Sequence, residues 1–132
     1  MAEAVGTFAQ IVALAPQHEA LLHAVRALAR ALHPSAVEVS RPGDRAVSWG
    51  WGPKKTSEAY ACALPYRDHV NLAFYRGADL PDPAGLLRGT GKAMRHVPLV
   101  APDQLYDPAI GLLLVAAREE RRHALRLAAA TA

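Results

Sequence analysis

Cysteine is almost absent from this chain, with Cys62 standing alone among 132 residues. A lone thiol builds neither a disulfide framework nor a cysteine-rich metal knuckle, and it suits a reducing cytoplasm. Aromatic residues are scarce too, at 6%. They interleave with base only where Trp49, Trp51 and Tyr60 surround Lys54 and Lys55, which leaves a nucleic-acid module a single foothold. No apolar run is long. The longest, Pro108 to Ala117, covers about half of a membrane span. Met1 to Ala15 has no basic n-region, so a secretory signal is not expected. Positive charge never accumulates beyond Lys54-Lys55 and Arg121-Arg122, so the net charge of +3 is spread thinly. Such a balance describes a solvated basic surface rather than a polyanion groove. Arginine supplies 12 of the 15 cations and alanine 28 of the residues, the mark of a GC-rich coding bias.

What is present describes a globular domain. The chain is 52% apolar and 20% charged, and its length suits one core spanning residues 1–132 better than two. Thr7 and Gln10 have the spacing of a capping box, which starts a helix over Phe8 to Leu14. Pro16 opens a second helix, in which Leu21, Val25, Leu28 and Leu32 recur on one stripe until Pro34 stops it. The period then changes to two. Val37 and Val39, then Val47, Trp49 and Trp51, then Glu58 to Leu64 read as strands. His69 to Tyr75 is the clearest, with Val70, Leu72 and Phe74 on one face and His69, Asn71 and Tyr75 on the other. Met94 to Val100 is a further strand, and Pro98 confines it to an edge. Asp82-Pro83 starts a brief helical turn, and Asp107-Pro108 starts a long helix to about Ala129. Short loops between strands imply an antiparallel meander. The expected fold is therefore α+β in two layers, about five antiparallel strands against amino-terminal helices and a long carboxy-terminal helix.

Gly89-Thr-Gly-Lys92 resembles a phosphate loop only in part. A Walker loop needs glycine at position 86 and a hydroxyl at 93, where Leu86 and Ala93 stand; a dinucleotide loop needs a glycine where Met94 stands. What remains is a pair of glycines that lets backbone amides converge beside Lys92, Arg95 and His96, a setting for a carboxylate or phosphate. No two histidines show the spacing of a helical metal clamp. His18, His23, His33 and His123 fall on helices beside charged neighbours, where exposure is usual. Ser48, Ser57 and Cys62 lie in no nucleophile elbow, and Cys62 among alanines reads as a buried hydrophobe with a raised pKa.

Several ordered blocks carry a resemblance: Glu58-Ala-Tyr60, Asp68-His-Val-Asn-Leu-Ala-Phe-Tyr75, Gly77-Ala-Asp-Leu-Pro-Asp-Pro83, Leu86-Leu87, Gly89-Thr-Gly-Lys92 and Met94-Arg-His-Val97. Together they resemble the YdhG-like family, a domain of unknown function. The resemblance implies a compact two-layer domain with helices against an antiparallel sheet. One bacterial branch of that family has been likened to frataxin, which implies an intracellular iron chaperone as an alternative. Iron delivery wants an acidic ridge, and the second helix offers Glu19 alone against Arg26 and Arg30.

The expectation is thus a small cytoplasmic binding or accessory domain without catalytic residues, metal or cofactor. Its candidate ligand is a small anion held by Gly89, Thr90, Gly91, Lys92 and Arg95 and oriented by His69, Asn71 and Tyr75.

Overall fold

The computed structural model describes residues 5–131; residues 1–4, the start of the segment weighed as a leader, and residue 132 lie outside the described residues. Helix α1 spans Phe8–Leu14, and its capping box forms as the spacing implies. Gln10 N donates to the Thr7 hydroxyl at 3.2 Å, and Thr7 N donates to Gln10 Oε1 at 2.8 Å. Pro16 begins a single 3₁₀ turn, Pro16–His18, before α2 runs over Glu19–Leu32. Leu21, Leu22, Val25 and Ala29 bury one stripe of α2. The helix stops at His33, whose N–H closes on Ala29 O, because Pro34 disfavours helix at the residue before it.

Five strands follow: β1 Val37–Arg41, β2 Ala46–Gly50, β3 Ala59–Pro65, β4 Val70–Phe74 and β5 Arg95–Leu99. They pair in chain order, each antiparallel to the last. Period-two alternation sends Val47 and Trp49, Ala61 and Ala63, Val70, Leu72 and Phe74, and Val97 and Leu99 to one face. The apolar stripes of α1 and α2 cover that face, joined by Ile110, Leu113, Leu114 and Ala117 of α3, Pro108–Thr131. This is the α+β architecture expected. Asp107 caps α3, its Oδ1 accepting from Ala109 N at 3.0 Å. A 3₁₀ segment at Pro102–Tyr106 precedes the cap and carries no sequence signal beyond its proline.

Pro98 shows why a proline can sit in this sheet. His96, two residues earlier, turns its backbone N–H and C=O outward to Arg88, so position 98 also turns its nitrogen away from β4. No ladder bond is lost on the inner side. Between β2 and β3 the register slips at Trp49/Gly50, and the extra residue, Tyr60, joins the core. Gly50 permits this close approach, since a Cβ there would lie 2.4 Å from Glu58 O and from Ala59 Cα.

The opposite face of the sheet is less open than alternation implies. The connection between β2 and β3 folds back over part of it. Arg41 Nη2 donates to Pro53 O at 2.7 Å, Lys55 Nζ meets Asp44 Oδ2 at 2.8 Å, and Arg76 Nη2 reaches Thr56 O at 3.3 Å. Ser48, Cys62 and Ala73 are buried on that face as a result.

Candidate functional site

The loop singled out from sequence is the tip of a hairpin. Arg88 N donates to His96 O at 2.8 Å and His96 N to Arg88 O at 2.9 Å, closing the segment between them. Gly89 takes a φ of +122°, a conformation that L side chains avoid. Ala78 N donates to Ala93 O at 2.8 Å and ties the hairpin to the turn at Gly77–Asp79. Arg95 then organises the tip, its Nη1 donating to Met94 O at 2.8 Å and to Gly91 O. The backbone groups that converge here are carbonyls gathered by a guanidinium. The glycine spacing implies amides gathered by an anion; what the loop shows is two carbonyls, of Gly91 and Met94, accepting from the Arg95 guanidinium.

This arrangement leaves a defined donor set. Both hydrogens of Arg95 Nη1 are engaged, while Nε and Nη2 make no hydrogen bond among the described residues. Those two nitrogens form the edge of the guanidinium that matches a carboxylate. The same edge is used twice elsewhere in the molecule. Arg26 sets Nε and Nη2 on Glu38 at 2.9 and 2.8 Å, and Arg121 sets them on Glu120 at 2.8 and 2.9 Å. Lys92 is exposed beside this edge in sequence, and the hairpin from Arg88 to His96 contains no carboxylate. Asp82, the nearest acid before it, accepts from Leu86 N and Leu87 N at 2.9 and 3.0 Å. Instead of starting a helix, Asp82 pins a turn completed by Gly85 at φ +67°.

The three strand residues are placed differently. Phe74 pairs with Arg95 and Val70 with Leu99, so His69 lies at the end of β4 remote from the hairpin. Five strand steps put it roughly 17 Å from the level of Arg95. There its ring stacks on Tyr66 at 4.9 Å and its Nδ1 meets Asp68 Oδ1 at 2.9 Å. Asn71 sits between Leu64 and Pro98, and its buried Oδ1 lacks a partner among the described residues. Tyr75 lies at the Arg95 end but on the covered face beside Cys62. Burial pushes its hydroxyl above the ordinary range, and pushes the Cys62 thiol up to about 11. Gly89, Thr90, Gly91, Lys92 and Arg95 share one hairpin; His69, Asn71 and Tyr75 do not join them.

Sequence reading also missed a polar cluster. His18 and His33 are buried rather than exposed. His18 Nε2 is 2.8 Å from Tyr66 O. His33 Nδ1 is 2.8 Å from the Tyr60 hydroxyl, and its ring packs 4.3 Å from the indole of Trp51. Burial lowers the His33 pKa from 6.5, and the Arg118 charge lowers it further against a smaller opposing effect of Glu119. Burial also raises Tyr60 to about 12. A histidine harder to protonate in the fold contributes fully above pH 6.5, and its contribution is lost as pH falls below that value toward the lower folded pKa. Urea unfolding is expected to show a midpoint that drops between pH 7 and pH 5, less steeply in His33→Asn. Parallel slopes in the two proteins would contradict the assignment.

Trp49 and Tyr60 are buried in the core, so the aromatics around Lys54 and Lys55 do not form an exposed stacking row. No group of three potential metal-ligating side chains occurs among the described residues, and no helix among them is long and apolar enough to cross a membrane. No family model, curated protein or solved structure matches the chain.

Proposed function

We propose that this chain is a non-catalytic binding domain that takes a small carboxylate or phosphate on the free edge of Arg95. One observation carries the reading. The guanidinium is held from behind by two loop carbonyls while Nε and Nη2 remain available, so little side-chain freedom is lost when an anion docks. Lys92 adds an exposed charge, and Gly89 and Gly91 keep the approach clear of side chains. Membership of the YdhG-like family and a cytoplasmic setting belong to the same proposal, resting on the ordered sequence blocks and on the lone thiol.

The direct test follows the Arg95 Nε–H resonance by NMR during titration with inorganic phosphate. A saturable shift with a dissociation constant on the order of 1 mM is expected. Lys92→Ala is expected to weaken it by about threefold, and Arg95→Lys to abolish it, since an ammonium lacks the two-pronged edge. A shift linear in concentration, reproduced by chloride, would sink the proposal.

A further inference from the structure

Helix α3 buries its last core side chain at Ala117 yet continues to Thr131, about 20 Å further. Ion pairs of Arg118 and Arg122 with Glu119, and of Arg121 with Glu120, support this extension. Between it and the end of β2 lies a cleft of about 400 Å³ lined by Trp51, Arg122, Leu125, Arg126 and Ala129. The indole is fixed before any ligand arrives. Trp51 Nε1 donates to Arg118 O at 2.9 Å, and His33 packs against the ring at 4.3 Å. What His33 leaves uncovered of the half-buried indole forms one wall.

Arg122 and Arg126, one turn apart, form the rim on the same side of the helix. Arg122 shares one nitrogen with Glu119 Oε1 at 2.9 Å; Arg126 makes no ion pair among the described residues. No carboxylate lines the cleft itself. The cleft is shallow and open on one side, a shape that suits a base stacked on one face with its other face in water.

We propose that this cleft binds a nucleoside phosphate, with the base against Trp51 and Leu125 and the phosphate between Arg122 and Arg126. An inorganic anion would leave the aromatic and aliphatic wall unused, and a neutral ring would leave Arg126 without an anion and Arg122 with Glu119 alone. The same chemistry is offered by a free nucleotide and by one unit of a single strand. The site shares no residue with the Arg95 hairpin and stands or falls separately.

Calorimetry on the full chain decides it, with AMP, adenosine, inorganic phosphate and a short single-stranded oligonucleotide as probes. AMP is expected to bind the cleft with equal affinity in wild type and in Arg95→Lys, the variant that removes any weaker phosphate binding at the hairpin. Arg122→Ala combined with Arg126→Ala, exposed changes that leave the core untouched, is expected to weaken AMP by about tenfold or more. Adenosine and phosphate should each bind more weakly than AMP, and the tryptophan emission change on AMP should disappear in Trp51→Phe. Tighter binding of the oligonucleotide than of AMP assigns the source to a strand, and the reverse assigns it to free nucleotide. Three results would each overturn the proposal: no AMP binding at about 1 mM, wild-type affinity in the double variant, or loss of AMP binding in Arg95→Lys. The last would move the nucleotide to the hairpin and leave the anion reading there intact.

Discussion

Phe74→Ala is expected to lower the unfolding free energy by about 3–5 kcal/mol, as for other buried aromatic truncations. Phe74 is 0% exposed in an inner strand, between Ala61 on β3 and Arg95 on β5. Neither neighbour can fill the space, since one ends at a methyl group and the other is tied to the hairpin carbonyls. Against a typical total of about 5–15 kcal/mol, that loss should move the urea midpoint by a large fraction. Asn71→Ala on the other face of the same strand should cost less than about 1 kcal/mol, because its buried Oδ1 has no described partner to lose. Comparable losses at positions 71 and 74 would mean that the faces of β4 are assigned wrongly, since a one-residue slip exchanges them.

Glu38→Leu is the second large effect, expected at about 2–4 kcal/mol. The Glu38 side chain is 15% exposed and its carboxylate accepts from three donors, Arg26 Nε and Nη2 and Trp49 Nε1 at 3.0 Å, with the Arg30 guanidinium a further ion pair at 3.7 Å. Trp49 is 0% exposed, so losing the carboxylate strands its N–H in the core. Arg26 keeps its position over the Phe8 ring at 4.2 Å and remains partly solvated, which limits the loss. Glu38→Gln retains an acceptor for the indole and should lose about 1 kcal/mol. Burial alone would raise the Glu38 pKa, but the hydrogen bonds and charges of Arg26, Trp49 and Arg30 outweigh it and lower the value from 4.5. The contribution is therefore complete above pH 4.5 and lost as pH falls through the lower folded value. Denaturant curves for wild type and Glu38→Gln should converge in acid; a gap that widens there would reverse the sign.

Local patterns carried most of the fold. The alternation at Val70, Leu72 and Phe74, the Thr7 and Asp107 caps, and Pro98 each act through a neighbour within a few residues, so spacing alone reveals them. Pairs distant in the chain did not show. His33 sits beside a proline and a leucine in sequence, and nothing local says that Tyr60 will meet its Nδ1 or that Trp51 will cover it. The fold-back of the β2–β3 connection depends on Asp44 and Arg41, residues from another hairpin, and so Tyr75 was legible as facing away from the core but not as covered.

The candidate site divides along the same line. Gly89 to Arg95 is contiguous and was legible as a group, whereas the direction of its carbonyls is set by one side chain folding back. Period two places His69, Asn71 and Tyr75 on one side of a strand. It is silent on their distance along the sheet from the hairpin, and that distance separates them from it.

The contacts of α3 with earlier segments bear on the order of events during synthesis. Arg118 Nη1 donates to Leu32 O across 86 positions, Trp51 Nε1 to Arg118 O across 67, and Arg121 Nη1 to Ser57 O across 64. A nascent chain would thus carry a nearly finished sheet whose oily side is only part covered, by α1 and α2, until the Ile110 to Ala117 stripe and then Arg118 and Arg121 leave the ribosomal tunnel.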